Sequence, residues 1–365
     1  MRLWWYSIAN FNNTVSQSMN ASQHTNLTQW VNQQLQALGA TEPCTLAALS
    51  GDAGFRQYLR VDNGPRPMLA VLAPPESENN PLFVALAIAL RKGHLCTPEV
   101  FAADFERGYL LVEDFGDQLL WCSLQQQPIN ADCLYGQALI SLLSLQQEQP
   151  YHIDLPSYGP QMLLREMNLF NHWFVGELLG LDEQLGHDTL APIYNQLVAN
   201  ALAQPQVLVH RDFHSRNLLE RPGLPLGVID FQGAVWGPIT YDVVSLLKDC
   251  YLQWPRAKVE GWALSYSELA KDTGLLAEVD NATFLRWFDW TGLQRHIKVL
   301  GIFARLALRD NKPNYLQDLP LVVHYVRDCA SRYSALQPLA DLFDQQLMPV
   351  VEAQSWYQPV VAAQI

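Results

Sequence analysis

The spacing of hydrophobic residues changes along this chain, and the change predicts two regions with different secondary structure. From residue 24 to residue 38 apolar side chains recur at helical spacing, and Gly39 follows as a helix end. The region up to about residue 115 then carries short apolar runs bounded by turn residues, which predict strands around one further helix. The predicted strands cover residues 55–61, 68–72 and 109–112, and the predicted helix covers residues 82–90.

Beyond about residue 118 the hydrophobic pattern is mainly helical. Helices are predicted at residues 131–147, 160–180, 187–203, 240–253, 281–310 and 318–345. The chain is therefore expected to have an α+β fold, with a small β-rich N-lobe and a larger, mainly helical C-lobe. The expected divisions are an N-terminal tail at residues 1–23, an N-lobe at residues 24–117 and a C-lobe at residues 118–365.

A group of polar residues interrupts the helical region between residues 210 and 230. His210 is followed by Asp212 and then by Asn217, and Asp230 ends an apolar run at residues 226–229. This spacing is typical of the catalytic loop of kinase-type phosphoryl transfer, in which the aspartate accepts the proton of a substrate hydroxyl. His210 and Asp212 are therefore the candidate catalytic residues.

Two short apolar runs flank the turn residues 222–225 and predict a β-hairpin in the same segment. Pairing of residues 218–220 with residues 226–229 would place Asn217 and Asp230 side by side at the open end. Two oxygen ligands at that place can share Mg²⁺. The competing interpretation is a surface loop whose polar side chains only cap turns. That interpretation requires neither the flanking strands nor Asp230.

A turn of small residues, Ser-Gly-Asp-Ala-Gly at residues 50–54, separates two strand-like runs. The backbone N–H groups of Gly51, Asp52, Ala53 and Gly54 can surround a phosphate group closely, because the glycines carry no side chain. The turn lacks the Gly-Lys-Ser sequence of a P-loop, which excludes that class of nucleotide-binding protein. An ordinary hairpin turn is the alternative, and the kinase-type motif downstream favours phosphate binding.

The chain has no lysine before Lys92, although kinase-like folds normally hold the nucleotide phosphates with a lysine on the third strand. Here the third strand, at residues 68–72, is apolar. Arg56 and Arg60 share one face of the preceding strand by its period of two, and we expect one of them to reach the phosphates of ATP. The alternatives are neutralisation by the backbone or by magnesium alone, and a solvated face for the arginines.

Composition and charge limit the remaining classes of function. A chain of 365 residues, 49% of them hydrophobic, is long enough for two packed lobes. The net charge of −13 argues against a nucleic-acid partner, which needs a basic surface. The six cysteines include no C-x-x-C pair and are expected to be buried free thiols in a reducing compartment. Neither a membrane span nor an export signal is predicted, so a cytoplasmic protein is expected.

These motifs together resemble a known superfamily. The layout and residues 46–255 are similar to the aminoglycoside phosphotransferase and choline kinase superfamily, which has a protein-kinase-like bilobal fold. A narrower resemblance is to the anomeric sugar kinases of bacterial cell-wall recycling, which phosphorylate N-acetylmuramate and N-acetylglucosamine. It is carried by residues 51–58, 73–75, 111–117, 241–249 and 292–315.

The resemblance implies roles for individual residues. Asp212 would be the catalytic base, Asn217 and Asp230 would ligate Mg²⁺, and His210 would be a structural member of the loop. The segment Glu113-Asp114-Phe115 would form a hinge whose backbone contacts the adenine ring. The implied function is ATP-dependent transfer of the γ-phosphoryl group to the anomeric hydroxyl of an amino sugar, in peptidoglycan recycling.

Candidate substrate residues lie close to both motifs in the sequence. His214, Arg216 and Gln232 either contact the substrate or only pack the loops. Arg295 and Lys298 stand three positions apart on a predicted helix and therefore share a face. A basic face there would suit the carboxylate of a muramyl group, but a solvated helix face is the interpretation that the sequence favours.

Three other functions are compared with the sugar-kinase hypothesis. A protein kinase is disfavoured because Asp230 and Asp242 are only twelve positions apart and no Ala-Pro-Glu triplet follows. A kinase of cationic acceptors such as aminoglycosides or choline would share the catalytic residues, and the acidic, tryptophan-rich chain leaves that alternative open. A nucleotide-binding pseudoenzyme is disfavoured because Asp212, Asn217 and Asp230 are intact. No obligate protein partner is evident from the sequence.

Overall fold

The computed structural model describes residues 19–49, 55–150 and 152–360, and the chain divides into two compact units. The first unit contains a five-stranded sheet, and the second is mainly helical, which confirms the expected α+β class. The first consists of Met1–Ser123, Glu148–Pro156 and Arg216–Ala234, and the second of Leu124–Gln147, Ser157–Ser215 and Val235–Ile365. The segment 216–234, expected within the C-lobe, thus belongs to the first unit.

The first unit is built on an antiparallel sheet with strand order β1-β2-β3-β5-β4. Its strands are β1 (Thr45–Ala48), β2 (Gln57–Asp62), β3 (Met68–Leu72), β4 (Val100–Asp104) and β5 (Tyr109–Glu113). The prediction of β3 is confirmed residue for residue, and those of β2 and β5 are confirmed to within two residues. Strand β1 coincides with the strand-like run expected before the turn at residues 50–54, for which no bounds were predicted. Strand β4 was not predicted, and it contains a register shift between Val100 and Ala102.

Helix α1 (Ala21–Ala37) packs on this sheet. A capping box begins the helix: Asn20 Oδ1 accepts the N–H of Gln23 at 2.8 Å, and the Gln23 side chain accepts the N–H of Asn20 at 3.0 Å. Its buried face carries Leu27 and Trp30, and the Trp30 ring lies 5.6 Å from that of Tyr109. The helix starts three residues before its predicted start, inside the predicted tail.

Helix α2 (Asn80–Lys92) follows β3 in the chain and confirms the helix predicted at residues 82–90. Asn79 caps its first turn by accepting the N–H of Leu82 at 3.1 Å. Its buried stripe includes Phe83, Leu86 and Leu90, which follow one another at helical spacing. This stripe is what attaches the helix to the rest of the first unit.

The predicted hairpin is present in the first unit. Strand β7 (Leu218–Leu219) pairs antiparallel with β8 (Gly227–Val228), and the N–H of Ile229 donates to the carbonyl of Asn217 at 3.1 Å. The hairpin joins the remainder of the unit through Val228, whose N–H donates to the carbonyl of Cys96 at 2.8 Å. Backbone hydrogen bonds therefore fix the positions from which Asn217 and Asp230 project.

The second unit consists mainly of helices around a two-stranded ribbon, in which β6 (Gln206–Val209) pairs antiparallel with β9 (Val235–Pro238). Helix α5 (Pro160–Leu169) continues directly into a π-helical segment, Phe170–Leu178. The remaining helices of the described chain are α3 (Leu120–Gln126), α4 (Ala131–Gln147), α6 (His187–Leu202), α7 (Thr240–Leu247), α8 (Arg256–Asp272), α9 (Asn281–Leu308), α10 (Leu319–Arg332), α11 (Gln337–Leu342) and α12 (Met348–Val351).

Helix α9 packs against helices from several parts of the second unit, and one glycine decides how closely. A methyl group on Gly301 would lie 2.3 Å from the backbone carbonyl carbon of Leu169 at the end of α5. Only a residue without a side chain permits that approach. Gly292, on the same helix, has its nearest neighbour, a Val244 methyl, at 3.6 Å from the equivalent point.

Several predicted features of the second half differ from the structure. The helix predicted at 240–253 ends at Leu247, and the one predicted at 318–345 is interrupted at Tyr333, whose backbone is extended. Helix α8 was not predicted. Of the six cysteines, all free, Cys44, Cys250 and Cys329 are buried and Cys133 is exposed, so burial of every thiol was wrong. Within the described residues, no helix is both long and apolar enough to cross a membrane.

Candidate active site

The candidate catalytic loop, residues 210–215, follows β6 directly and is anchored in the second unit by Asp242. This carboxylate, in the first turn of α7, accepts the backbone N–H of His210 at 2.6 Å and that of Arg211 at 3.0 Å. Arg211 has a left-handed backbone with φ of 79°. His210 is fully buried, with its ring edge-on to Phe213. A buried carboxylate therefore adds to the hydrogen bonds that the loop makes within itself, such as that from the His214 N–H to the Asp212 carbonyl at 3.0 Å.

Asp212, the candidate base, is surrounded by cationic side chains of the second unit. Burial by itself raises the pKa of Asp212, but Lys298, His214 and Arg211 together hold the pKa below its usual value. The carboxylate is thus ionised at neutral pH. An ionised aspartate can accept a hydrogen bond, and then a proton, from a hydroxyl group.

A buried cluster of opposite charges supports this loop from the second unit. Glu166, on α5, accepts hydrogen bonds from the Arg211 guanidinium and from the Tyr158 hydroxyl, and its carboxylate lies 3.1 Å from Lys298 Nζ. Lys298 also donates to the Tyr241 hydroxyl at 3.0 Å. Burial would raise the pKa of Glu166, but the two cations lower it below its usual value. Glu166 is therefore a buried anion shared by two cations.

The two basic residues predicted to share a helix face do share one on α9, but that face is not solvated. Arg295 and Lys298 are each 5% exposed. Arg295 Nε donates to Ser245 Oγ at 2.8 Å, and Lys298 is engaged with Glu166 and Tyr241. The expectation of a solvated face was wrong, because polar partners far away in the sequence offset the desolvation of both charges. Their predicted contact with substrate stays a prediction.

The candidate metal ligands Asn217 and Asp230 lie side by side in the first unit, as the hairpin pairing predicts. Asn217 Nδ2 is 3.5 Å from Asp230 Oδ2, and Gln232 Nε2 donates to Asp230 Oδ1 at 2.7 Å. Asp230 has a left-handed backbone with φ of 65°, a conformation that is uncommon outside glycine and concentrated at functional sites.

The chemistry of this donor set suits Mg²⁺. The described residues contain no cluster of three or more His, Cys, Asp or Glu side chains that could hold a metal alone. Mg²⁺ characteristically uses one or two carboxylates, with phosphate oxygens and waters completing an octahedron. One carboxylate from Asp230 and one amide oxygen from Asn217 match that requirement.

Residues predicted to bind the nucleotide fall into two groups. Gly51, Asp52, Ala53 and Gly54 lie outside the described residues. Arg56 and Arg60 are described, and they differ in their partners. Arg56 pairs with Glu78 at 3.0 Å, whereas Arg60 donates hydrogen bonds to both Asp114 and Asp117. Although the two arginines were predicted to share a face, their guanidinium groups have different partners.

The predicted hinge segment Glu113-Asp114-Phe115 is fixed within the first unit. The N–H of Glu113 donates to the carbonyl of Glu99 at 2.8 Å, and the N–H of Asp114 donates to that of Pro67 at 3.1 Å. These two N–H groups already donate to carbonyls of the first unit. The predicted adenine contact would therefore need the other backbone polar groups of the segment. Arg221 lies over the Phe115 ring at 4.4 Å and pairs with Glu113 at 2.6 Å.

Two further candidate substrate residues contact aromatic rings. The His214 ring is edge-on to Tyr251 in the second unit, with centroids 5.5 Å apart. The Arg216 guanidinium lies 4.7 Å from the centre of the Trp121 ring in the first unit. Both contacts agree with loop packing and leave the substrate role a prediction. The sequence motifs did not single out Glu166, because no local pattern links it to residues 210–215.

The comparisons with known proteins agree with this geometry. Residues 45–280 match the model of a phosphotransferase enzyme family, and the chain belongs to that family. It is 40% identical to an N-acetylmuramate/N-acetylglucosamine kinase of Pseudomonas putida over 325 residues, which are 87% of this chain and 94% of the relative. It is 38% identical to the protein of that name from Neisseria meningitidis over 304 residues, 80% of this chain and 88% of the relative.

Solved structures with the same fold are kinases of other acceptors. An ethanolamine kinase of Plasmodium vivax has a TM-score of 0.58 at 12% identity, covering 86% of this chain and 96% of its own. An ADP-bound aminoglycoside phosphotransferase has a TM-score of 0.55 at 15% identity, covering 89% and 99%. The predicted superfamily and the protein-kinase-like fold are confirmed. The chain is an enzyme, a nucleotide-using kinase of small molecules.

Proposed function

We propose that this enzyme is an ATP- and Mg²⁺-dependent sugar kinase that phosphorylates the anomeric hydroxyl of N-acetylmuramate and N-acetylglucosamine in peptidoglycan recycling. The observation that carries the proposal is the near full-length similarity to kinases of that name, in a chain that retains Asp212, Asn217 and Asp230. With ATP as the phosphoryl donor, the proposed location is the cytoplasm.

Asp212 has the properties that this reaction asks of a base. The sugar hydroxyl donates its proton to the carboxylate, the sugar oxygen bonds to the γ-phosphorus of ATP, and ADP leaves. Cationic neighbours hold the pKa of Asp212 below its usual value, which makes it a weak base. A weak base suffices because an anomeric hydroxyl is more acidic than an ordinary sugar alcohol. The main task of Asp212 is then to orient the hydroxyl.

Asn217 and Asp230 are the proposed ligands of magnesium, and His210 is a buried support of the loop. When bound, Mg²⁺ would neutralise charge on the phosphates of ATP. Gln232 donates to the Asp230 oxygen at 2.7 Å and thereby holds the carboxylate orientation. Glu113-Asp114-Phe115 and the turn at residues 51–54 remain the proposed adenine and phosphate contacts.

A cationic acceptor is the alternative, and the charges near Asp212 speak against it. Kinases of ethanolamine, choline and aminoglycosides share this fold. Here Lys298, Arg211 and Arg295 all act on Asp212 electrostatically. Glu166 pairs with two of these cations, Arg211 and Lys298, so Arg295 is the cation that would most directly oppose a cationic substrate at that carboxylate. A neutral sugar, or one that carries a carboxylate as N-acetylmuramate does, would not be opposed in this way.

Coupled measurement of ADP release tests the proposal. The assay contains Mg²⁺-ATP and one acceptor at a time: N-acetylmuramate, N-acetylglucosamine, kanamycin, choline or homoserine. We expect turnover with the two N-acetyl sugars and a loss of about 10²- to 10⁴-fold in Asp212→Asn, the range for removal of a general base. Turnover with kanamycin or choline instead would move the enzyme to the cationic-acceptor branch. Nucleotide binding without any turnover would support a pseudoenzyme.

A further inference from the structure

Arg56 has an arrangement that its own protein contacts do not explain. Its side chain is only 6% exposed, and among the described residues no group accepts a well-directed hydrogen bond from its Nε, Nη1 or Nη2. Its contacts are an ion pair with Glu78, at 3.0 Å from Nη2, and the ring of Phe83, whose centre is 4.6 Å from the guanidinium carbon.

A buried guanidinium with undirected donors is costly in free energy. Arginine carries five N–H donors, and buried donors are nearly always satisfied in folded proteins. The ion pair with Glu78 offsets the charge and engages Nη2, but most of the N–H groups still lack a well-directed acceptor among the described residues. Such a group is expected where a ligand supplies the missing acceptors, and a guanidinium matches the oxygens of a phosphate group in geometry and charge.

The surroundings of Arg56 connect it to the candidate metal site within the first unit. The Phe83 ring that contacts Arg56 also stacks on Phe231, with centroids 5.1 Å apart, and Phe231 directly follows Asp230. Tyr58 is a second connection. Burial raises its pKa most strongly, and the charges of Arg56, Asp230 and Glu78 all act on the same phenol. The Arg56 guanidinium and the carboxylate of Asp230, the proposed metal ligand, therefore lie in the same part of the first unit.

Arg60, the other arginine of this strand region, has its donors already used. Its Nε donates to Asp114 at 2.6 Å, and its Nη1 and Nη2 donate to Asp117 at 3.0 and 2.8 Å. Two carboxylates therefore neutralise one guanidinium. Its charge and each of its three nitrogens are therefore already matched by acceptors within the described residues.

We propose that Arg56, positioned by Glu78 and Phe83, donates hydrogen bonds to the phosphate oxygens of the bound nucleotide. This inference rests on the proposed kinase function and identifies the cation that replaces the lysine absent from β3. The Glu78 carboxylate holds the guanidinium in position, and the Phe83 ring supports its face. The nucleotide would supply the acceptors that the protein does not.

Calorimetric titration of the full-length protein with Mg²⁺-ADP and, separately, with adenosine tests this assignment. Arg56→Gln should weaken ADP binding by about 10- to 100-fold, the effect of losing charge-assisted hydrogen bonds, and leave adenosine binding unchanged. Glu78→Gln should weaken ADP binding by a smaller factor. Equal weakening of both ligands, or unchanged ADP binding, would overturn the proposal. A phosphate-specific loss in Arg60→Gln but not in Arg56→Gln would also overturn it.

The chain offers a matched control in Arg66. This arginine pairs with Glu99 at 3.0 Å and lies 4.5 Å from the centre of the Phe101 ring, so its two contacts resemble those of Arg56. Its side chain is 52% exposed, and its contacts within the described chain are not shared with Asp230. Arg66→Gln should leave both affinities within about twofold of the wild-type values, which lies inside the range of ordinary surface substitutions.

Loss of folding is separated from loss of binding by two further measurements. Arg56→Lys keeps a cation in place, and it should retain a cooperative thermal transition and lose less ADP affinity than Arg56→Gln. In the wild-type protein, the Nε–H resonance of Arg56 should shift with ADP and not with adenosine. An unshifted resonance contradicts the proposal. Neither assay needs an acceptor, so ADP binding through Arg56 without sugar turnover would contradict only the proposed acceptor.

Discussion

The carboxylate of Asp242 accepts the backbone N–H of His210 at 2.6 Å, and its second oxygen accepts the N–H of Arg211 at 3.0 Å. Asp212 is the next residue of the chain. A left-handed backbone at a residue such as Arg211 costs about 1–3 kcal/mol, and the two hydrogen bonds offset that cost. The position of the candidate base therefore depends on a carboxylate thirty residues later, which need not touch the substrate.

Substitution of Asp242 should make the stability of the protein less dependent on pH. Burial, opposed by the two backbone hydrogen bonds, raises the pKa of Asp242 to about 7. A carboxyl group whose pKa is raised on folding stabilises the fold below its unfolded pKa, near 4, and loses that contribution as the pH rises to about 7. Removing the group should abolish its contribution to the change in unfolding free energy with pH, which is at most about 4 kcal/mol between pH 4 and pH 7.

Urea denaturation of the wild type and of Asp242→Asn between pH 4 and pH 8 measures this effect. The substitution costs stability at every pH, since an amide offers one oxygen to two N–H donors. The difference in unfolding free energy between the two proteins should be largest near pH 4 and shrink toward pH 7. A difference that is constant or grows with pH would contradict the raised pKa.

Asp230→Asn should raise the Mg²⁺ concentration needed for half-maximal rate by at least about tenfold, because a neutral amide is a poorer ligand for a hard dication. A titration of initial rate against Mg²⁺ at fixed ATP provides the measurement. Asp104→Asn is the control, since that carboxylate pairs with the Arg107 side chain and accepts the Arg107 backbone N–H. An unchanged Mg²⁺ requirement in Asp230→Asn would remove Asp230 from the ligand set.

The glycines of helix α9 should respond in opposite directions to the same substitution. Gly301→Ala would place a methyl group 2.3 Å from the Leu169 carbonyl carbon, and overpacking of this kind costs about 1–3 kcal/mol or more. Gly292→Ala would meet nothing closer than 3.6 Å and should stabilise the helix by up to about 1 kcal/mol. Denaturation midpoints of the two variants give the result, and equal effects would show that the close approach is not fixed.

Glu166→Gln should destabilise the protein by about 3–5 kcal/mol, the usual cost of breaking a buried ion pair, because Arg211 and Lys298 would keep their charges without a carboxylate. Adding Lys298→Met should recover part of this loss, since one of the two cations is then removed. Unfolding free energies of the two single variants and the double variant form the cycle. Strict additivity of the two substitutions would show that Glu166 and Lys298 do not interact.

The sequence was sufficient where neighbouring residues determine the structure. Met68–Leu72 reads as an apolar run that ends at prolines, and the helix Ala131–Gln147 was predicted with its observed bounds. The hairpin around Pro222 could be predicted because turn chemistry and two apolar runs coincide. The adjacency of Asn217 and Asp230 followed from that pairing alone.

The sequence was insufficient where the partner of a residue lies far away in the chain. Arg295 and Lys298 looked like a solvated face because local spacing cannot show that Ser245, Tyr241 and Glu166 will meet them. The different surroundings of Arg56 and Arg60 have the same origin. Helix α8 could have been predicted, since Val259, Trp262, Ala263 and Tyr266 follow helical spacing, but the polar residues among them obscured the pattern.

The order in which the first unit is synthesised has a consequence for incomplete chains. The unit is assembled from three stretches, and the last ends at Ala234. A ribosome completes all five strands of the sheet by Glu113, long before it adds Asn217 and Asp230. The hydrogen bond from the Val228 N–H to the Cys96 carbonyl can form only after that later segment has been added. A chain that ends between Glu113 and Asn217 thus contains every strand of the sheet but lacks both proposed metal ligands, and we expect such a fragment to transfer no phosphate.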